Sequence, residues 1–153
     1  MSIEEQRRDL HDHYERSRES VLAAIDGLTD DQMTEQTNDG WSVKDHLVHL
    51  SVWHEIRRSE IERVTAGLPP AWPLIHGELV DTLNEATVRA RREVPLAQVR
   101  ADLDYARKQV LAAIDRASEG ALAGQGFGEA GIRSWEELEH ADMIRNWRTR
   151  QGY

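Results

Sequence analysis

The chain has 153 residues and a formal net charge of −9 at pH 7. This length suits one domain with a single core over residues 1–153, and the acidic balance argues against a general affinity for the phosphate backbone of nucleic acids. The sequence contains no cysteine, so disulfides, cysteine metal ligands and a thiol nucleophile of its own are excluded.

The apolar residues are too scattered for a membrane protein. No run approaches the roughly 18 apolar residues that a spanning helix needs, and the N-terminal residues are charged, without the apolar stretch of a signal peptide. We therefore expect a cytoplasmic protein whose partner is a small-molecule substrate rather than a membrane or a nucleic acid. Bundles with exposed apolar helix faces often pair, so a homodimer is the candidate assembly.

Three serines, each with a carboxylate three residues later, mark predicted helix starts, and the first and the last of them form capping boxes. They are Ser2 with Glu5, Ser42 with Asp45, and Ser134 with Glu137. Together with the three- to four-residue spacing of apolar side chains, they predict long helices over about 3–27, 43–66 and 135–150. A short helical turn is predicted at 29–33.

A third long helical region covers about 76–118. Pro95 interrupts it, because proline has no amide hydrogen and clashes with the preceding turn. The proline-rich stretch 67–75 is predicted to be a loop, and five glycines between 119 and 131 disfavour a helix there. Four long helical regions with such long connections predict an all-α four-helix bundle with a crossover connection.

The last predicted helix carries a carboxylate and an imidazole one turn apart, at Glu136 and His140. This spacing places both side chains on one face, and Ile144 and Trp147 continue that face, so we expect it to point inward. Burying a carboxylate and an imidazole without partners is costly. A bound metal ion would satisfy both groups, and a direct Glu–His hydrogen bond without metal is the alternative.

The second long helix carries three histidines, His46, His49 and His54. Helix geometry turns them toward different stripes, and spacing alone does not decide which of them would bind a metal. A hydrogen-bonded core or boundary position is the alternative for each. Two imidazoles and one carboxylate form a ligand set used by zinc, nickel and iron sites that keep open coordination positions.

The segment Trp41-Ser-Val-Lys-Asp-His-Leu-Val-His49-Leu resembles the second-helix signature of the DinB/YfiT-like superfamily of metal-binding four-helix bundles. Glu136-x-x-x-His140, with the apolar residues behind it, is similar to the closing helix of that superfamily, and the segment 83–88 is similar to its third helix. Many members carry histidine at both positions of the last pair. The mycothiol-dependent maleylpyruvate isomerase branch carries Glu then His, as here.

The resemblance implies that His49, Glu136 and His140 are the ligands of one divalent metal, with zinc as the first expectation and nickel or iron as alternatives. His46 and His54 then become neighbours of the site. We consider each of them as a catalytic general base or as a hydrogen-bond partner that orients a ligand. The isomerase branch also carries a second, C-terminal domain, so the substrate machinery of this chain need not match theirs.

The implied function is that of a metal-dependent enzyme. The reaction classes are a transferase or isomerase that uses a low-molecular-weight thiol such as mycothiol or bacillithiol, or a hydrolase of a small molecule. The absence of cysteine is consistent with an external thiol. The alternative class is a non-catalytic metal-binding or stress-response interaction bundle whose His and Glu residues have a structural role.

Other residues have less specific expectations. Arg57 is expected on a solvated helix face, with a substrate carboxylate as its alternative partner, and His11 and His13 are expected on the surface. Trp53 is expected in the core or in the wall of a pocket. The glycine-rich segment 120–131 is interpreted as a surface loop, with a lid over the site as the alternative.

Overall fold

The computed structural model describes residues 1–127 and 131–153 in full and residues 129 and 130 by their backbone. The helices are α1 (Ile3–Ile25), α2 (Asp30–Thr34), α3 (Val43–Thr65), α4 (Glu78–Ala90), α5 (Leu96–Arg116), α6 (Glu119–Leu122), α7 (Glu129–Arg133) and α8 (Glu136–Gln151), and a 3-10 turn covers Trp72–Leu74. The described residues contain no β-strand, so the all-α prediction is confirmed. None of the helices in this part of the chain is long and apolar enough to cross a bilayer.

The predicted serine caps at Ser2 and Ser42 are present, and both are capping boxes. The Ser2 hydroxyl accepts a hydrogen bond from the Glu5 amide at 3.2 Å, and the Ser42 hydroxyl accepts one from the Asp45 amide at 3.1 Å. Each carboxylate in turn accepts a bond from the amide of its serine. These bonds satisfy amides that the first turn of a helix cannot pair internally, which explains why α1 and α3 begin where the sequence predicts.

The predicted capping box at Ser134 is wrong. Ser134 adopts a left-handed backbone conformation with φ +55°, its hydroxyl has no hydrogen-bond partner, and no side chain caps α8. Glu137 turns into the core instead of back toward the serine, because it forms hydrogen bonds there with His54 and Arg107. A tertiary ion pair therefore takes the carboxylate that the local motif would have used.

Helices α3 and α5 run parallel, which requires the predicted crossover. Lys44, near the start of α3, donates to the carbonyl of Arg92 just before α5. Thr65, at the end of α3, accepts a hydrogen bond from the amide of Ser118 just after α5. A short turn cannot join parallel neighbours, so the chain returns through a long connection that contains α4. The four-helix bundle with a crossover is thereby confirmed.

Helices α1 and α8 form the second parallel pair. Arg145 donates to the hydroxyl of Ser20, and Arg148, one turn later, donates to the carbonyl of Ala24. Both helices therefore advance in the same direction. The two pairs close the bundle by packing α1 on α5 and α3 on α8.

The core consists of two apolar clusters along the bundle. One contains Ile144 and Trp147 of α8 with the end of α1 and the first half of α3, which confirms that this face of α8 points inward. The other contains Leu10 of α1, Ile61 of α3 and the second half of α5. Buried polar side chains lie between the two clusters. They include His13, Ser17, His54, Arg57, Arg107 and Glu137.

Two connections hold more helix than expected. The 3-10 turn lies inside the predicted loop 67–75, α6 lies inside the glycine-rich stretch, and α7 begins in that stretch and ends just after it. The Ser118 hydroxyl accepts a hydrogen bond from the Ala121 amide at 3.2 Å, and Leu122 is buried against the second apolar cluster. This cap and this burial outweigh the cost of the glycine within α6. The predicted surface loop also includes Gly128, which lies outside the described residues.

Candidate metal centre

A cavity of about 710 Å³ lies against α3, α4 and the first turns of α8. This volume is within the range of small-molecule sites in proteins. Its lining side chains are imidazoles, aromatic rings and a few charged or polar groups. They include His46, His49, His140, Glu136, Trp41, Trp53, Trp72, Trp135, Phe127, Asn84 and Arg57.

The packing of α3 on α8 brings all three predicted metal ligands to this cavity, together with His46. The two helices run in opposite directions and overlap through their N-terminal halves, which places His46 and His49 beside the first turns of α8. The ring centres of His49 and His140 are 4.5 Å apart, and those of His46 and His140 are 5.0 Å apart. Glu136 lies one turn before His140 on the same face of α8.

A chain of hydrogen bonds links Asn38, His46 and His140. His46 Nδ1 and His140 Nδ1 share a hydrogen bond of 2.7 Å, and Asn38 Nδ2 lies 3.1 Å from His46 Nε2. The Asn38 Oδ1 accepts a hydrogen bond from Arg150 at 3.4 Å, and turning the amide over would exchange its nitrogen and oxygen. If the amide nitrogen donates to His46, the shared proton belongs to His46 and the Nε2 of neutral His140 carries a hydrogen. If the amide oxygen accepts from His46, His140 carries the shared proton. Only this second arrangement frees His140 Nε2 to bind a metal.

His49 and Glu136 face each other without a hydrogen bond. His49 Nε2 lies 4.0 Å from Glu136 Oε2, which is too long for a hydrogen bond. Glu136 Oε2 and His49 Nδ1 are both buried, and neither has a hydrogen-bond partner among the described residues. Native proteins rarely leave such groups unpaired. Bonds from zinc to nitrogen and oxygen are each about 2.0–2.2 Å, so the gap is wide enough for an ion between the two atoms.

Burial keeps the three imidazoles of the cavity neutral. It lowers the pKa of His46 to about 4, with the neighbouring His49 adding to the effect. Burial and the adjacent imidazoles likewise lower the pKa of His49 and of His140 to about 3. Burial raises the pKa of Glu136. Protons therefore compete little for the imidazole lone pairs at neutral pH, which favours metal binding.

The donor atoms fit a divalent metal in their chemistry but do not yet converge. Among the described residues, no three side chains of the His, Asp or Glu type surround one point closely enough to hold an ion. The hydrogen bond between His46 and His140 keeps the ring of His140 directed at its neighbour. Binding an ion would therefore require small side-chain movements around His49, Glu136 and His140.

His54 lies in the polar layer of the core and is not brought to the cavity. Its Nε2 donates to Glu137 Oε1 at 2.5 Å, and Arg107 donates to both carboxylate oxygens of Glu137 at 3.2 and 3.0 Å. Burial by itself raises the pKa of Glu137, but the hydrogen bonds from His54 and Arg107 outweigh burial and lower it. Burial lowers the pKa of His54. This position gives His54 a structural partner in place of a substrate.

Arg57 does not lie on a solvated helix face, contrary to expectation. It is buried at the cavity wall, its Nε donates to the carbonyl of Gly131 at 2.5 Å, and its guanidinium carbon lies 5.6 Å from the ring centre of Phe127. The physical reason is that Arg57 follows Trp53 by one helical turn, and that face of α3 borders the cavity. Trp53 lines the cavity wall, in agreement with one of its two expected positions.

His13 is also buried, although a surface position was expected. It forms a hydrogen bond of 2.7 Å with the carbonyl of Ser134. Helix α1 packs on both α8 and α5, so two of its stripes are covered rather than one. His11 remains partly exposed and pairs with Asp115 of α5 at 2.7 Å.

Sequence reasoning missed one polar residue of the cavity and two of the buried polar layer. Asn38 was interpreted only as part of a turn, and Arg107 and the inward direction of Glu137 were not anticipated. The spacing of His49, Trp53 and Arg57 at intervals of four residues is the one local signal that could have identified a cavity-facing stripe.

The fold and the cavity define this protein as an all-α crossover bundle with an imidazole- and carboxylate-lined site. The family model of the DinB superfamily matches residues 13–145, and the chain belongs to that superfamily. An uncharacterised protein from Escherichia coli UTI89 has a similar fold, with a TM-score of 0.78 and 15% identity over 95% of this chain and 94% of that chain. No curated protein matches this chain significantly.

Proposed function

We propose that this protein is a divalent-metal-dependent enzyme acting on a small molecule in the cavity, with His49, Glu136 and His140 holding the ion. The observation that carries the proposal is the buried, unpartnered Glu136 Oε2 facing His49 Nε2 across a 4.0 Å gap. A carboxylate in such a position needs a cation or a proton to be stable. The neutral imidazoles beside it favour a cation that accepts nitrogen ligands.

When bound, a divalent ion would supply Lewis acidity and lower the pKa of a coordinated water or thiol. The chain's own residues have separate roles. His46 orients His140 by accepting a hydrogen bond from His140 Nδ1, the arrangement that frees His140 Nε2 for the ion. The rings of Trp41 and Trp53 border the imidazoles and limit the access of water. Any thiol must be external, because the chain contains no cysteine.

The reaction classes that we propose are a thiol-dependent transferase or isomerase and a small-molecule hydrolase. One observation favours the alternative of a non-catalytic metal-binding or interaction bundle: three donors do not converge among the described residues. A catalytic site requires both an ion and an accessible coordination position, so metal content is the first quantity to measure.

The test is the metal content of the untagged protein, measured by mass spectrometry before and after incubation with zinc, nickel or iron(II). We expect about one equivalent in the native chain and its loss in His49→Ala and His140→Ala. His46→Ala should retain the ion with roughly ten- to hundredfold lower affinity, since it removes a group that orients a ligand.

The matched control is His76→Ala, which removes an exposed histidine outside the cavity and should leave the metal content unchanged. A native chain that stays empty after all three metals would contradict the proposal. A loaded protein that turns over no substrate with or without an added thiol would favour the non-catalytic alternative.

A further inference from the structure

Arg57 carries a buried positive charge that forms no salt bridge with a described carboxylate. The residue is only 3% exposed. Its Nε donates to the Gly131 carbonyl at 2.5 Å, and its Nη1 lies 3.4 Å from the Trp53 carbonyl. Carbonyl groups satisfy N–H donors but leave the net charge in place. A buried charge without a counter-ion is costly, and none of the described carboxylates forms a salt bridge that would compensate Arg57.

Arg107 is a buried arginine of the same core whose positive charge is compensated by carboxylates. It is 4% exposed, and it donates to both carboxylate oxygens of Glu137, at 3.2 and 3.0 Å. It also pairs with Asp104 at 3.2 Å. Two arginines of nearly equal burial therefore differ in one respect. Arg107 faces the protein's own carboxylates, and Arg57 faces a cavity.

The charge around the cavity indicates which anion would fit. Arg57 is the one lysine or arginine among the described lining residues, and several acidic side chains share the lining with it. They are Asp39, Glu85, Glu136 and Glu139. One guanidinium matches one carboxylate, with which it can form two parallel hydrogen bonds. A doubly charged phosphate would meet more repulsion from these acidic groups.

The face of α3 that carries Arg57 also borders a row of aromatic rings, which can bind the apolar part of a ligand. His49, Trp53 and Arg57 follow one another at four-residue intervals, about 12 Å along the helix axis. The ring centres of Trp53 and Trp72 are 4.9 Å apart, and those of Trp72 and Phe127 are also 4.9 Å apart. We call Trp53, Trp72 and Phe127 the aromatic wall. It extends between the imidazoles and the guanidinium.

We propose that the cavity binds a small molecule with one carboxylate on a planar apolar body, that Arg57 binds the carboxylate, and that the aromatic wall holds the body. This inference rests on the proposed function only in assigning the reacting end of the molecule to His49, Glu136 and His140. Recognition by Arg57 itself needs no metal, so the two proposals can fail separately.

The test compares the binding of 2-naphthoate with that of its neutral analogue 2-naphthamide, by isothermal titration calorimetry on the full chain. The native protein should bind the carboxylate roughly ten- to a hundredfold more tightly than the amide, because a hydrogen bond between two charged groups is stronger than one to a neutral amide. Arg57→Gln should bind both probes equally, and Arg57→Lys should keep part of the preference. Naphthalene-2-phosphonate should bind more weakly than the carboxylate.

Two control variants isolate the contribution of the Arg57 guanidinium. Arg58→Gln removes the same charge from the next residue, which does not line the cavity, and it should keep the preference. His140→Ala should also keep it, because the carboxylate is not bound through a metal. Circular dichroism and thermal melting confirm that each variant is folded.

The inference is overturned if the native chain binds 2-naphthoate no more tightly than 2-naphthamide, or if it binds neither probe at millimolar concentration. It is also overturned if Arg57→Gln retains the preference or if His140→Ala removes it. A chain that binds no metal but shows an Arg57-dependent preference would contradict the proposed function and leave this inference standing.

Discussion

Glu137 and Arg107 show how single residues handle charge inside this bundle. Both side chains are buried, and two hydrogen bonds join them while His54 donates a third to the carboxylate. The electrostatic attraction within such a buried pair is largely offset by the free-energy cost of removing both charges from water. Removing one partner is different, because the other charge is then left buried and uncompensated.

We therefore predict that Glu137→Ala lowers the free energy of unfolding by about 3–5 kcal/mol, measured by urea denaturation. Glu139→Ala, an exposed carboxylate on the same helix, should cost less than about 1 kcal/mol. Combining Glu137→Leu with Arg107→Met should recover a large part of the loss, because neither charge then remains. Equal losses in the single and double variants would contradict this account.

The buried Tyr14 is expected to make the stability of the protein depend on pH in the alkaline range. Its hydroxyl donates to the Ile132 carbonyl at 2.7 Å, and burial raises the pKa of Tyr14 to about 12 from 10.0. Above pH 10 the unfolded chain loses this proton before the folded chain does. The contribution of protonated Tyr14 to the free energy of unfolding is therefore complete below pH 10. It is lost as the pH rises toward 12, at up to about 1.4 kcal/mol per pH unit.

Ultraviolet titration of the folded protein should show one tyrosine ionising near pH 12. Tyr14→Phe should remove that step and make the loss of stability above pH 10 less steep. Tyr105→Phe is the matched control, because Tyr105 is 65% exposed, and it should retain the late step. The hydrogen bond to Glu35 also raises the pKa of Tyr153, so the deciding variant combines Tyr14→Phe with Tyr153→Phe. A late step that survives in this double variant would show that burial at Tyr14 is not its cause.

At the scale of elements, two serines in similar sequence contexts start their helices differently. Ser42 caps α3 with a hydroxyl that accepts from the Asp45 amide. Ser134 precedes α8 with a left-handed backbone and an unpaired hydroxyl. The difference arises because the Asp45 carboxylate returns a bond to its serine, whereas Glu137 is drawn into the core.

We predict that Ser42→Ala destabilises the protein by about 1 kcal/mol through the lost cap. Ser134→Ala should cost nothing through capping, and removing its unpaired buried hydroxyl should leave stability equal or slightly higher. Thermal and urea denaturation of both variants measure the difference. A comparable loss at Ser134 would mean that its hydroxyl has a partner.

At the scale of the whole molecule, the connections of the bundle form part of the cavity wall. The Glu60 carboxylate accepts hydrogen bonds from the amides of Ala71 and Trp72, at 3.0 and 3.3 Å. A side-chain carbon added at Gly126, which has φ +100°, would lie 2.6 Å from a Glu60 oxygen. Glu60 thus binds the 3-10 turn and contacts the glycine-rich segment. The 3-10 turn supplies Trp72 to the cavity, and the glycine-rich segment supplies Phe127.

We predict that Glu60→Ala speeds amide hydrogen exchange at Ala71 and Trp72 on the order of tenfold, because their acceptor is lost. Exchange in the middle of α3 should be unchanged. Glu62→Ala removes an exposed carboxylate two residues away and should alter neither region. If the two amides exchange equally fast in Glu60→Ala and in the native chain, Glu60 does not anchor the connection.

Local signals predicted most of the helices and the inward face of α8. Apolar periodicity, serine caps and Pro95 act within one or two turns, so they can be recognised in a short window of sequence. The family motifs placed His49, Glu136 and His140 as candidate ligands, and the bundle brings all three to one cavity. Whether they bind a metal stays a prediction.

Other features depend on contacts between residues far apart in the chain. His46 meets His140 because α3 and α8 pack antiparallel. Glu137 leaves its predicted cap because Arg107 and His54 reach it from α5 and α3. Arg57 is buried because the segment before α8 covers its face of α3. Periodicity describes which side of a helix is apolar, whereas charge compensation between helices is decided only when they pack.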